Sequence, residues 1–523
     1  MKLSPLFKNF LPYLILVVFG FLLYYQTLSF SLVYLDDNKL IIDNQATLHE
    51  AGLFKIFTSD VFFSGSANSF YYRPLLNVSF LIDELGGGTL PFFFHFTNLI
   101  WHLLAASLIF LIFKKYFLAE KIALFLALIF LAHPALSQAV AWIPGRNDSL
   151  LTVFILASFG LFLNFLKTDR IIYFWWHLVF FILALFVKET AVFLPVVCLA
   201  YYYLLADKFT PDNKKANFLI ISATWFSSIL IWYLFRKVSL SPNISLSYLL
   251  ISGLQNLPAI LVYLGKVIFP FNLSVYPIVA DSTYWWGLLS VLSITAALYF
   301  TPKVNWRRLA FGLLWFLIFL LPSFLSPDPV STWSFFEHRL YLPIIGLLLC
   351  IAELYPLKNL KWLDKKSRVI ALAIILLLTS LTFWHIRYFS DRLTFWTEAA
   401  RTSPNSAFVQ NNLGAMYHLE DNLNQAQEHY SKALQLDPSQ RLVHNNLGLI
   451  AVSQKKYSEA EREYQQELII NPYYDNAWVN LGLLYIKLKR FPEASACFQQ
   501  AYQLNPNNAQ AYDNLLILSS KVE

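Results

Sequence analysis

Long apolar stretches govern what this chain can fold into. Residues 10–31, 93–113, 121–141, 148–166, 171–187, 190–205, 217–235, 283–300, 309–326, 339–356 and 367–386 each approach the length a helix needs to cross a bilayer. In hydrocarbon every backbone N–H and C=O must be satisfied within the structure, and uniformly apolar runs of this length do so as helices. Charged residues make up 14% of the 523, against about 25% in a soluble domain. The expectation is an all-α, polytopic membrane bundle of eleven spans. Residues 1–30 carry no small-residue cleavage motif after their apolar run and are expected to be retained. Cys198, Cys350 and Cys497 have no paired spacing, so the sequence offers neither a disulfide framework nor a zinc motif.

The net charge of +7 is spread through short loops. It reads as membrane orientation, with no basic patch for nucleic acid. If 250–270, which contains Asn256, Pro258 and Lys266, lies at the interface, the clusters Lys114/Lys115/Lys121, Lys303/Arg307/Arg308 and Lys365/Lys366/Arg368 all fall on the cytoplasmic side. The opposite face then carries the sparse remaining charges: Asp36-Asp37 after the first span, His133 through Asp148, Lys188-Glu189 and Glu337-His338-Arg339. Ionisable groups at a membrane border that converge on one side mark a candidate cavity.

Each cluster admits a plain reading beside a chemical one. Asp36 and Asp37 are either boundary charges or a general base with its neighbour. Arg146 offers a planar fork for phosphate, or pairs with Asp148. Lys188-Glu189 is a self-neutralising pair or part of a donor pocket, and Glu337 and Arg339 can pair with each other or with headgroups. Asn98, with His95 and His102 along one face of the second span, reads as an interhelical hydrogen-bond network. The two histidines stand seven residues apart, too far along a helix to grip one metal ion together.

From about residue 390 the chain turns polar and repetitive. Asn411-Asn412-Leu413-Gly414, Asn445-Asn446-Leu447-Gly448 and Val479-Asn480-Leu481-Gly482 recur every 34 residues, as do Ala426/Ala460/Ala494, Tyr430/Tyr464/Phe498 and Pro438/Pro472/Pro506. This is a tetratricopeptide pattern, with repeats expected near 407–440, 441–474 and 475–508. The second repeat departs at Ala451 and Glu467, where looser packing is expected. The division is therefore a membrane domain over 1–389 and a repeat domain over 390–523.

Asp36-Asp37, Tyr71-Tyr72-Arg73-Pro74-Leu75, His133-Pro134, the run from Ala139 to Asp148, Lys188-Glu189-Thr190, the run from Glu337 to Pro343 and the C-terminal repeats occur together, in this order. The set resembles the transmembrane-and-tetratricopeptide protein O-mannosyltransferases and their bacterial relatives, of the GT-C glycosyltransferase superfamily. The resemblance implies transfer of mannose or another hexose from a polyprenyl-phosphate carrier to an acceptor hydroxyl, on protein Ser/Thr, on the extracytoplasmic face. It maps the catalytic acids onto Asp36 and Asp37, either of which could take the acceptor proton, with Asp36 favoured as base and Asp37 positioning it. Arg146, Arg339 and Lys188 would meet the donor phosphate, and Arg73, His95, His133, Asp148, Glu189 and Glu337 would shape the pocket. A divalent metal is compatible with this chemistry and not required by it. The implied partners are the lipid-linked donor, an acceptor protein or glycan, the bilayer and proteins bound by the repeats. The implied setting is a bacterial cytoplasmic membrane with the first loop and the repeats outside, or an endoplasmic reticulum membrane in a eukaryote. Two alternatives stay open: the same fold acting on a lipid or polysaccharide, and a non-catalytic scaffold whose repeats recruit partners.

Overall fold

The computed structural model describes residues 5–63, 71–206, 214–240, 246–325, 334–355, 357–359, 364–506 and 508–519. They form two units, Met1–Phe395 and Trp396–Glu523.

In the first unit, α1 (Pro5–Tyr24) enters the bundle, and α2 (Gln45–Phe57) and α3 (Pro74–Gly87) belong to the loop that follows. Next come α4 (Pro91–Ile112), α5 (Glu120–Ala132), the short α6 (Gln138–Ala141), α7 (Arg146–Thr168), α8 (Ile171–Val187) and α9 (Leu194–Leu204). The unit continues through α10 (Lys214–Ser239), α11 (Leu246–Asn256), α12 (Ala259–Ile268), α13 (Trp285–Tyr299), α14 (Trp306–Leu320), α15 (Ile344–Ala352) and α16 (Lys365–His385). Among the described residues six helical stretches are long and apolar enough to cross a membrane, or eight if two bent pairs each count as one. Three shorter apolar helices, Ile171–Val187, Glu189–Leu204 and Trp285–Tyr299, stand beside them.

Two stretches depart from simple spans. Residues 339–356 contain the end of a 3-10 turn (Glu337–Leu340) and the nine-residue α15. At a rise of about 1.5 Å per residue that helix is much too short to cross alone. It is an interior element: Gly346 meets Gly312 of α14 so closely that a Cβ on Gly346 would lie 2.2 Å from the Gly312 carbonyl. The second departure is 250–270, where α11 and α12 form a pair bent by 45° at Pro258.

The bend that matters most lies between α5 and α6. Pro134 cannot continue a helical hydrogen-bond ladder, and the chain turns by 59° after Ala132. The carbonyls freed there need donors in a buried setting. Tyr24 Oη donates to the Leu131 carbonyl at 3.3 Å and Thr382 Oγ1 to that of Ala132 at 2.7 Å. A second break follows Ala141, where Asn98 of α4 donates through Nδ2 to the carbonyls of Val140, Trp142 and Ile143 at 3.2–3.3 Å. Its Oδ1 accepts from Arg146 Nε at 2.6 Å. The polar stripe on α4 is thus an interhelical network, with His102 Nδ1 also bonded to Tyr341 Oη at 2.6 Å.

In the second unit, α17 (Arg392–Thr402) leads into three helix pairs: α18 (Ala407–Leu419) with α19 (Leu423–Leu436), α20 (Val443–Ser453) with α21 (Tyr457–Ile470), and α22 (Asp475–Lys487) with α23 (Phe491–Leu504). α24 (Ala509–Ser519) follows them. Each pair closes on one device. The ring of Tyr430, Tyr464 or Phe498 lies against Gly414, Gly448 or Gly482, where a Cβ would come within 2.5–2.8 Å of it. Asn446 donates to Asn411 and Asn480 to Asn445 across successive repeats. Glu467 does not loosen the second repeat. Fully buried, its carboxylate accepts from the backbone N–H of Leu442 at 2.8 Å and of Asn445 at 3.4 Å, capping the N-terminus of α20.

Restoring the small residue at this position, Glu467→Ala, should lower stability by about 1 kcal/mol through loss of the cap. Thermal unfolding of the full chain would show it, and an unchanged or raised midpoint would contradict the capping role.

Candidate active site

The turn between α1 and α2 is held in an uncommon conformation. Tyr34 and Asp36 both have positive φ, 62° and 68°, a region that costs an ordinary side chain of order 1 kcal/mol or more. Hydrogen bonds over-determine the shape. Trp142 Nε1 donates to the Leu35 carbonyl at 2.9 Å. The Asp37 carboxylate accepts from Val33 N at 2.7 Å and from Asn38 N at 3.0 Å. Asp37 is buried and turned inward, and Asp36 keeps an exposed side chain.

Burial nevertheless raises the pKa of Asp36, with Lys39 and Arg73 pulling it back down. A carboxylate that is both accessible and desolvated by surrounding protein lines a recess. Burial also pushes the Asp37 carboxyl up to about 7, against backbone hydrogen bonds from Val33, Asn38 and Tyr34 and helped by the charge of Asp36.

The recess wall comes from distant parts of the chain. Arg73 Nη2 reaches Glu189 Oε1 at 3.3 Å, and its guanidinium lies 4.5 Å from the centre of the Tyr71 ring. Arg73 Nε has no hydrogen-bond partner. Burial opposes the Arg73 charge, and Glu189, Tyr71 and Asp148 outweigh it. Tyr71 feels Arg73, Arg339, Glu189 and Asp36 together, so its phenol marks where these groups converge. Lys188 Nζ grips both Asp148 oxygens at 2.8 and 3.0 Å, and His338 Nε2 stands 4.0 Å from the same carboxylate. Burial, with the cations Lys188, Arg339 and Arg73 about it, keeps the His338 imidazole neutral. Trp142 and Phe336 stack at 6.2 Å, His338 lies 5.2 Å from Phe336, and Arg339 sits over the Phe336 ring at 5.5 Å.

Asp36, Arg73, Lys188, Glu189, Asp148 and Arg339 are therefore brought into one neighbourhood. Other candidate residues are taken up by partners of their own. Arg146, fully buried, pairs with Asp83 at 2.5 Å and also donates to Asn98, Thr97 Oγ1, the Phe94 carbonyl and Ser79. All three of its nitrogens are engaged, which leaves no free fork for a phosphate. It shares no hydrogen-bond partner with Arg339, which donates to the carbonyls of Ser323 and Ser334. Glu337 forms neither expected contact: fully buried, it pairs with Lys266 at 2.5 Å and accepts from Ser274 N at 2.7 Å. His133 Nε2 bonds the Val267 carbonyl at 2.9 Å, and His95 packs edge-on against Phe30. Among the described residues no three His, Cys, Asp or Glu side chains come together as a metal group.

Tyr71 and Trp142 are the residues that sequence reasoning missed. Both lie inside motifs of the sequence, but neither a phenol nor an indole changes charge near neutral pH, and only the fold shows one amid the charges and the other bonded to the carbonyl before Asp36.

The tetratricopeptide repeat model matches residues 407–440 and 476–508. Over 145 residues the chain is 37% identical to the human Protein O-mannosyl-transferase TMTC2, covering 27% of this chain and 17% of that protein. Over 465 residues it is 23% identical to human TMTC3, covering 78% and 50%. Over 290 residues it is 27% identical to Tmtc1 of Drosophila melanogaster, covering 53% and 31%. The chain resembles the protein O-mannosyl-transferases. It spans half or less of the length of these three relatives.

The folded protein holds the Asp37 proton more tightly than the unfolded chain, about 7 against 3.8. That contribution to stability is complete below the lower value and is lost as pH rises through the higher one. Asp37→Asn should flatten the decline in thermal midpoint between about pH 4 and about pH 7; scanning calorimetry in detergent tests this, and an unaltered slope speaks against a buried, proton-holding Asp37.

Proposed function

We propose that the membrane unit is a glycosyltransferase moving a mannosyl group from a polyprenyl-phosphate carrier to a Ser or Thr hydroxyl on the extracytoplasmic face. The observation that carries this reading is the accessible Asp36 carboxylate, fixed from behind by Trp142 and set in a recess with Arg73. The names of the relatives support the sugar and the protein acceptor.

In the proposed reaction Asp36 takes the proton of the acceptor hydroxyl as its oxygen bonds to the anomeric carbon. The bond from that carbon to the phosphate oxygen breaks, and polyprenyl phosphate departs with the electron pair. Arg73, which lies over the Tyr71 ring, and Arg339, whose charge reaches the same phenol, meet the growing phosphate charge, and the unpartnered Arg73 Nε gives the first of them donor capacity to spare. Lys188 is satisfied by Asp148 and acts by holding that wall in place. The raised pKa of Asp36 suits a base that must carry its proton briefly and release it. The tetratricopeptide repeats favour a protein acceptor or partner over a lipid or polysaccharide one.

Purified protein in nanodiscs, given radiolabelled polyprenyl-phosphate mannose and a Ser/Thr-rich peptide, should label the peptide. Asp36→Asn should reduce transfer by about 10²–10⁴-fold, and equal transfer by variant and wild type would remove the catalytic assignment. Trp142→Phe, which frees the Leu35 carbonyl, should lower kcat by about 10-fold or more through misplacement of Asp36. Arg146→Met, by leaving Asp83 buried and unpaired, should cost about 3–5 kcal/mol of stability; a normal thermal midpoint with a raised donor KM would instead return Arg146 to the phosphate site.

A further inference from the structure

The first outer loop carries an apolar turn that no part of the proposed reaction uses. Gly52, at φ 63° and ψ 166°, breaks α2 and starts a fresh turn through Leu53, Phe54, Lys55, Ile56 and Phe57. Ile56 is buried inward. Leu53, Phe54 and Lys55 point outward, with Phe54 82% exposed. A phenylalanine so bare beside an exposed leucine needs a partner, because isolated apolar patches on a water-facing loop are costly.

The depth of this turn is fixed by its last residue. The Phe57 ring lies 5.4 Å from Phe186, the penultimate residue of α8, and Phe186 in turn packs on Phe235 of α10 at 6.0 Å. The Phe57 carbonyl accepts from Ser239 Oγ, on the final residue of α10, at 3.5 Å, and from Tyr72 Oη at 2.7 Å. Phe57 is thus level with the outer ends of two apolar helices, one of which is long enough to cross the membrane. On α10, Val238, next to Ser239, is 75% exposed, and Tyr233, Leu234 and Phe235 are exposed as well, so this helix carries bare apolar surface in the turns that lead up to its meeting with Phe57. Lys55 completes the pattern, since a cation next to apolar side chains at this level reaches the phosphate of a lipid headgroup.

We propose that Leu53, Phe54 and Lys55 dip into the outer leaflet and form a lipid-side doorstep to the Asp36 recess. Tyr72 ties the turn to Arg73 through a single peptide step, so a lipid-linked substrate that slides along this turn arrives at the arginine proposed to meet its phosphate. The doorstep role rests on the glycosyltransfer reading; insertion of the turn into lipid does not.

A nitroxide at Phe54→Cys in the full chain, in nanodiscs of phosphatidylcholine and phosphatidylglycerol, separates the two. The native Cys198, Cys350 and Cys497 are buried, which directs the label to position 54. Power saturation should give several-fold more collision with oxygen than with a water-soluble nickel chelate, and the reverse ratio at the solvent-exposed control Lys432→Cys. Greater access to nickel at position 54, or low access to both because another protein surface covers the turn, would overturn insertion. Phe54→Asp should raise KM several-fold for a long-chain polyprenyl-phosphate mannose and leave it unchanged for a short, water-soluble analogue. Equal KM values for the long donor would overturn the doorstep role. A wild type that transfers nothing would sink the glycosyltransfer reading and the doorstep with it, while the nitroxide result would still decide insertion.

Discussion

The recess around Asp36 depends on one buried ion pair, Arg146 with Asp83. A guanidinium inside a membrane bundle is tolerated only when its charge and all its donors are met, and here Asp83, Asn98, Thr97, Phe94 and Ser79 meet them. That saturation locks the start of α7 onto α3 and α4. Asn98, gripped by the same arginine, gathers the three carbonyls released where the chain breaks after Ala141. Trp142 is therefore fixed in position, and its indole N–H holds the Leu35 carbonyl directly before Asp36. The positive φ of Asp36 is supported from a distance by this series of contacts.

This arrangement separates two kinds of charge that look alike in a sequence. Arg146 and Glu337 lie wholly inside protein and are neutralised by partners, Asp83 and Lys266, far from them in the chain. Arg73, Glu189 and Asp36 retain accessible surface while enclosed by protein, the condition under which charge can act on a visiting group. The functional reading therefore moves the phosphate role from Arg146 to Arg73 and keeps Arg339.

Much of the architecture was legible before any coordinates. Apolar run length gave a membrane bundle, but where it counted eleven spans, six helical stretches among the described residues, or eight with the two bent pairs, are long and apolar enough to cross; the 34-residue period is carried by the helix pairs α18–α19, α20–α21 and α22–α23. What remained hidden was set by tertiary partners. The short interior α15 looks like a span because an apolar run does not reveal whether lipid or protein surrounds it. Glu467 looks like a packing defect until its carboxylate is seen at the next helix terminus. Arg146 and Arg73 are indistinguishable as residue types, and only Asp83, an inconspicuous acid on α3, decides between them.

The most direct test of this account is where a donor phosphate rests. A cryo-electron microscopy map of the protein in nanodiscs with a non-transferable polyprenyl-phosphonate analogue should place the phosphonate against the Arg73 guanidinium, beside Tyr71 and facing Asp36. Phosphonate density seated on Arg146, with the Asp83 pair opened to receive it, would contradict the account.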